Sequence, residues 1–137
     1  MSSSTAADTT AATAVDTTTT TAAATATATA TAVTSVTDAT FAAEVLGQQL
    51  PVLVEFTADW CPPCRMIAPV LADLAEQEAG RLKIVALDVD ANPQTQAAYG
   101  VLSMPTLMLF RAGEPVTSLV GARSKARLLR DLDGLLD

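Results

Sequence analysis

The sequence predicts an α/β fold, a mixed central sheet with helices on both faces, in the element order βαβαβαββα. Three observations carry that expectation. From residue 33 onward, short apolar runs suited to strands alternate with stretches of helical period. One of those runs, Pro51 to Thr57 (PVLVEFT), is apolar almost throughout, as expected of a central strand covered on both sides. The last two runs are joined by a short loop containing Gly113, which favours an antiparallel hairpin.

The elements follow in order. Residues 1–32 are nearly all Thr, Ala and Ser, with no aromatic residue, Leu or Ile to bury. Such small side chains cannot offset a backbone ordering cost of roughly 1–2 kcal/mol per residue, so this segment is expected to be a disordered tail before a folded domain over 33–137. Val33 to Thr37 suits a first short strand, and Asp38 can cap a helix that carries Phe41, Val45 and Leu46 and ends at Gly47. After the Pro51–Thr57 strand, Met66, Ile67, Val70, Leu71 and Leu74 recur at helical spacing up to Gly80, with a kink expected at Pro69. Leu82 to Leu87 reads as a strand, Asp88 to Pro93 as a turn into a short helix, and Gly100 as that helix's stop. Thr106 to Phe110 and Val116 to Val120 form the hairpin strands. Ser124 then caps a last helix that is expected to bury Leu128, Leu132, Leu135 and Leu136.

Bulk properties exclude several classes of function. A net charge of −7 argues against a surface that tracks phosphate backbones or anionic lipid, so neither nucleic acid nor membrane is an expected partner. Two cysteines and no histidine rule out a disulfide scaffold and a single-chain Cys/His zinc site, which needs four ligands. The first basic residue is Arg65 and no run approaches the roughly 20 apolar residues of a membrane span, so the protein is expected to be soluble and cytoplasmic. Arg123, Lys125, Arg127 and Arg130 form a basic run that reads as a solvated helix face rather than a docking patch.

The chemistry is concentrated in Trp60-Cys61-Pro62-Pro63-Cys64. A lone CxxC is compatible with a redox pair, half of a metal site, or two core cysteines. Here it follows a strand and opens a helix, where unpaired N–H groups and the helix dipole stabilise a thiolate and lower its pKa below the usual value of about 8.5. That makes Cys61 the nucleophile and places Cys64, one turn further in, to resolve a mixed disulfide. Pro62 and Pro63 fit the first helical turn, which can spare N–H groups and needs the φ that proline already has. Glu55 is the anomaly of the central strand: its neighbours Val54 and Phe56 argue for burial, with a solvated strand position as the alternative.

The segment Val54-Glu55-Phe56-Thr57-Ala58-Asp59-Trp60-Cys61-Pro62-Pro63-Cys64-Arg65 resembles a thioredoxin active site. Asp88 to Pro93, Tyr99-Gly100-Val101, Met104-Pro105-Thr106-Leu107 and Phe110 to Gly113 match that family's order and spacing, and the resemblance covers about 33–137. It implies the thioredoxin fold and a protein-disulfide reductase working by dithiol–disulfide exchange. By the same resemblance, Pro105 is a cis-proline facing the CxxC, Met104 offers its backbone to an extended client, Gly121 lines that surface, and Glu55 lies behind Cys64. No bound metal or organic cofactor is implied, only the Cys61–Cys64 disulfide. Electrons would come from NADPH through a thioredoxin reductase, with disulfide-bearing clients as the other partners and a monomer as the working unit. Rival readings are a donor dedicated to one partner, an exported oxidant, or a noncatalytic adaptor of the same fold. Pro62 replaces the family's usual glycine, Glu55 its buried aspartate, Thr57 an aromatic residue and Ala86 a lysine, so redox potential and client choice do not carry over.

Overall fold

Val52–Thr57 (β2) forms the middle of the sheet because both its faces are apolar: Val52 to Phe56 are all buried, Glu55 included. The computed structural model describes residues 32–136, so the expectation of a disordered tail falls, apart from residue 32, outside the described residues. Thr34–Val36 (β1) and Lys83–Asp88 (β3) run parallel to β2 on one side; on the other, Thr106–Arg111 (β4) runs antiparallel to β2, and Glu114–Val120 (β5) pairs antiparallel with β4 at the sheet edge. The strand order is β1-β3-β2-β4-β5. Glu55 pairs with Ala86 on β3 and Leu107 on β4.

Side chains alternate across a strand, so the two faces of the sheet build two packing layers. On one, Val52, Val54, Phe56, Val85, Leu87, Met108 and Phe110 meet Phe41 and Val45. Three of the five aromatic residues close this layer, with Phe41, Tyr99 and Phe110 at centroid distances of 5.2–5.7 Å. Such pairs contribute about 0.5–1.5 kcal/mol each beyond area burial. On the other, Leu53, Ile84, Leu107 and Leu109 face Ile67, Leu71 and Leu74 of Pro62–Gln77 (α2) and Leu128 and Leu132 of Lys125–Leu132 (α4), all essentially buried. Glu55 has the same parity as Leu53 and therefore points under α2. Lys125 reaches Asp73 at 2.6 Å and ties α4 to α2, while Arg123 holds Asp131 at 2.7 Å. Two members of the basic run are thus neutralised within the fold.

Ala42–Leu46 (α1) is short and wider than an α-helix, its last bond running from the Gly47 N–H to the Ala42 carbonyl, five residues apart, at 2.9 Å. Asp38 does not cap it. Its carboxylate instead crosses to Pro93–Ala98 (α3), accepting from the Gln94 and Thr95 N–H groups at 3.1 and 2.8 Å and from the Thr95 hydroxyl at 2.7 Å. α2 runs from Pro62 to Gln77 with Pro69 inside it and stops before Gly80, whose φ is +89°. The hairpin turns on Ala112 and Gly113, both at positive φ (52° and 81°), the geometry of a two-residue turn matched to strand twist. A Cβ on Gly113 would sit 3.1 Å from the Leu46 carbonyl, so both this close approach to the end of α1 and the positive φ favour glycine there. Ser124 caps α4, its hydroxyl accepting from the Arg127 N–H. That helix ends at Leu132 rather than continuing: Gly134 has φ +83°, and Leu135 and Leu136 lie past it, only half-buried.

Candidate active site

The site forms where β2 hands the chain to α2. Cys61 keeps extended backbone (φ −102°, ψ 104°) as the N-cap, and Pro62 and Pro63 fill the first two helical positions. Cys61 and Cys64 then lie one turn apart, Cα to Cα 5.3 Å, and are joined as a disulfide. With two prolines ahead of it, the Cys64 N–H is the first donor of the helix, and it points at Cys61 Sγ at 3.2 Å. In the reduced protein a Cys61 thiolate keeps that donor and the positive end of the helix, both of which favour its charged form. The two cysteines are equally buried, 2% and 3% exposed, so they differ in helix position and not in exposure.

Two loops close over the pair. The Met104–Pro105 peptide bond is cis, and the Met104 carbonyl oxygen lies 3.5 Å from Cys61 Sγ. Gly121, at φ +96°, donates its N–H to the Pro105 carbonyl at 2.9 Å and so holds the segment after β5 against the one before β4. The surrounding surface is apolar. Trp60 is 61% exposed, Met66 71% and Leu102 90%, and a cleft of about 350 Å³ runs between Met66, Ile67, Val70 and the Ala122-Arg123-Ser124 segment. The Trp60 indole N–H donates to Asp90 Oδ2 at 2.7 Å, which fixes the ring at the rim, and Arg65 donates to the Asp59 carbonyl.

Behind the pair, Glu55 is 5% exposed and its Oε2 has no hydrogen-bond partner in the protein. It lines a second cleft, of about 470 Å³, with Thr57, Ala58, Asp59, Cys64, Arg65 and Ala68. Burial pushes its pKa from 4.5 to about 7, and the polar Thr57 side chain works in the opposite sense. Among the described residues no three His, Cys, Asp or Glu side chains gather as metal ligands, and no helix is long and apolar enough to cross a membrane.

A family model described as thioredoxin matches residues 32–134. The chain belongs to the thioredoxin family. It is a thiol–disulfide oxidoreductase with Cys61 and Cys64 as its redox pair. Thioredoxin from Mycobacterium tuberculosis is 52% identical over 101 residues, covering 74% of this chain and 87% of the relative. Thioredoxin 1 of a Nostoc species is 49% identical over 98 residues, 72% of this chain and 92% of its own. The bifunctional thioredoxin reductase/thioredoxin of Mycobacterium leprae is 50% identical over 101 residues, 74% of this chain and 22% of that longer protein.

The residues singled out in the sequence fall into two groups in this thioredoxin-family structure. Cys61, Cys64, Met104, Pro105 and Gly121 come together at the disulfide, with Pro62 and Pro63 in the turn between the cysteines and Trp60 on the rim. Glu55 lies behind them on β2, under α2, in a cleft that Cys64 also lines. Asp90, the Trp60 partner, and the Thr57 wall of the Glu55 cleft were not singled out as site residues. Asp90 lies 30 residues from Trp60, and no local spacing joins the two.

Proposed function

We propose that the protein is a general reductant of protein disulfides, in which Cys61 attacks and Cys64 resolves. The observation that carries this reading is the Cys61 sulfur at the start of α2, taking the first N–H of the helix. Cys61 thiolate attacks a client disulfide, forming Cys61–S–S–client and expelling one client thiolate. The Cys64 thiol gives its proton to Glu55 and attacks Cys61 Sγ, which closes the active-site disulfide and expels the second client thiolate. Glu55, a carboxyl titrating near neutrality, suits this transfer and returns its proton in the next half-cycle.

Client binding uses the backbone of Met104 beside Pro105 and Gly121, with Trp60, Met66 and the cleft beside them as apolar contacts. All these groups belong to one chain, which supports action as a monomer. The reading places the protein in the cytoplasm, where a thioredoxin reductase spending NADPH keeps the pair reduced. The Mycobacterium leprae relative, whose name joins a reductase to a thioredoxin, supports that electron source.

Cys64→Ser is expected to accumulate client proteins as mixed disulfides through Cys61, visible on non-reducing gels of protein incubated with insulin or cell extract. Cys61→Ser should trap nothing. Equal trapping by both single variants would reverse or remove the assignment of attacking and resolving thiols.

A further inference from the structure

β5 ends at Val120 and α4 begins at Lys125, and the loop between them forms the rim opposite Met104 and Pro105. Both ends of this loop are tied: the Gly121 N–H donates to the Pro105 carbonyl at 2.9 Å, and the Ser124 hydroxyl caps α4. Its middle is held by a single side chain. Arg123 folds back along the loop, donating from Nη2 to the Val120 carbonyl at 2.7 Å and from Nε to the Gly121 carbonyl at 3.4 Å. Its Nη1 donates to Asp131 Oδ2 on α4, also at 2.7 Å. The Arg123 side chain is 12% exposed and that of Asp131 26%, so the pair lies largely out of water, unlike the loose, screened pairs of an open surface. A guanidinium is a flat, rigid fork of N–H groups, and here one fork joins a helix to two successive carbonyls. Among the described residues no backbone N–H donates to the Gly121 carbonyl.

We propose that Arg123, anchored by Asp131, is the positioning residue of the client-docking rim: by pinning the Val120 and Gly121 carbonyls it holds the loop where Gly121 meets Pro105 and an extended client can lie against Met104. The proposal rests on the reading that this rim docks clients. The chain of contacts is continuous. Asp131 stands on α4, whose Leu128 and Leu132 are buried, so the anchor belongs to the packed part of the fold. From Asp131 the guanidinium reaches Val120 and Gly121, Gly121 reaches Pro105, and the Met104 carbonyl next in line lies 3.5 Å from Cys61 Sγ. Gly121, at φ +96°, has no side chain, and a Cβ there would meet nothing within 4 Å, so packing does not fix the loop at this point. Without the fork, the loop would keep only the Gly121–Pro105 bond on the side that faces the disulfide. None of the Arg123 hydrogen bonds goes to either sulfur. Arg123 therefore sets where a client sits and leaves the thiol chemistry to Cys61 and Cys64.

The test is the ratio of two second-order rates for the reduced full chain, one with insulin as a protein client and one with oxidised glutathione as a small disulfide, read beside the urea midpoint. A change in Cys61 reactivity moves both rates together and cancels, whereas a displaced rim acts on the protein client. Arg123→Lys keeps a charge beside Asp131 but ends in a single point that cannot reach a carboxylate and two carbonyls at once. Its ratio should fall about tenfold with little change in midpoint. Arg123→Leu leaves Asp131 without its partner and should lower the midpoint as well. Arg123→Leu combined with Asp131→Leu removes both charges, so the midpoint should recover while the ratio stays as low as in Arg123→Leu. A ratio that recovers with the midpoint would overturn the proposal, because the pair would then act through stability alone. A wild-type ratio in Arg123→Lys and in the double variant would overturn it too. Gly121→Asn tests the underlying reading separately: asparagine tolerates positive φ, and its side chain would stand in open space on the rim, so a rim that docks clients must lose insulin reduction. If Gly121→Asn keeps the wild-type ratio, the rim reading itself fails. If Gly121→Asn lowers the ratio and the Arg123 variants do not, the rim reading stands and the role of Arg123 is overturned.

Discussion

α2 and α3 both begin with proline, and each must satisfy the N–H groups that its first turn leaves unpaired. They do so with different anions. At α3 the N-cap Asn92 makes no capping bond of its own. Its amide is spent holding the loop, accepting from the Asp38 N–H at 2.8 Å and donating to the Asp88 carbonyl at 3.0 Å. Asp38 in turn places its carboxylate over the Gln94 and Thr95 N–H groups. Partial burial alone would raise the Asp38 pKa, but the hydrogen bonds from Thr95 and Gln94 prevail and hold it below 3.8, so this cap stays charged at any pH at which the protein works. At α2 the cap is a sulfur that bears charge only when the pair is reduced. Its nearby carboxyl, Glu55, is shifted the other way. One helix start is finished and stabilises the fold, while the other is left waiting for an electron pair.

The largest test of that contrast is Cys61→Ser. Serine is among the preferred N-caps, so its hydroxyl can take the Cys64 N–H and stability should match that of the reduced wild type. Insulin-disulfide reduction should fall to background. A large drop in denaturant midpoint would show that the sulfur contributes to the fold in a way the hydrogen bond does not capture.

The two carboxyls should give opposite pH slopes. Glu55 binds its proton more tightly folded than unfolded, so stability is fully present below its unfolded value of 4.5 and is lost as pH rises through about 7. That difference amounts to roughly 3 kcal/mol. Glu55→Gln should abolish this loss, matching wild type near pH 5 and exceeding it in urea midpoint at pH 8. The Asp38 contribution runs the other way: present above 3.8 and lost as pH falls through the lower folded value. Asp38→Ala should therefore lower the melting temperature by several degrees at neutral pH, converge on wild type in strong acid, and leave disulfide reduction by the folded protein unchanged. Parallel pH profiles for the two variants would erase the contrast.

What could be read in the sequence divides along the same line. The start of α2 was legible because everything that makes it, strand, cysteines and prolines, lies within a dozen residues, Val54 to Arg65. The burial of Glu55 followed from its flanking Val54 and Phe56. The start of α3 was legible from Pro93 but its cap was not, because that cap arrives from a residue 57 positions earlier than Thr95, and sequence reasoning assigned Asp38 to the neighbouring α1. Propensity and capping rules see only adjacent residues, so a cap delivered across the fold is invisible to them. The same limit hid the Trp60–Asp90 bond, and hid how small Thr57, Ala58 and Ala68 would leave a cleft once α2 packed over β2. At the C-terminus the leucine period carried the last helix too far, past Gly134, whose positive φ ends it.

The smallest expected effect lies within the proline pair, and it asks whether α2 is kept under-capped. An N-cap side chain takes hydrogen bonds from the second and third helical N–H groups, not from the first. Pro62 is the first residue of α2, Pro63 the second and Cys64 the third. Pro62 thus withholds a donor that could not reach the sulfur, whereas Pro63 withholds one that could. Pro63→Ala adds a second N–H aimed at the Cys61 thiolate, worth up to about one pH unit for a single hydrogen bond to a charged group. The Cys61 pKa should fall, and because the reduced form is then the one stabilised, the pair should become more oxidising. Pro62→Ala should move both quantities much less. Thiolate absorbance against pH gives the pKa, and equilibration with glutathione gives the potential. A larger shift in Pro62→Ala would mean that stiffness of the turn, and not the count of donors at the sulfur, sets the reactivity of this helix start.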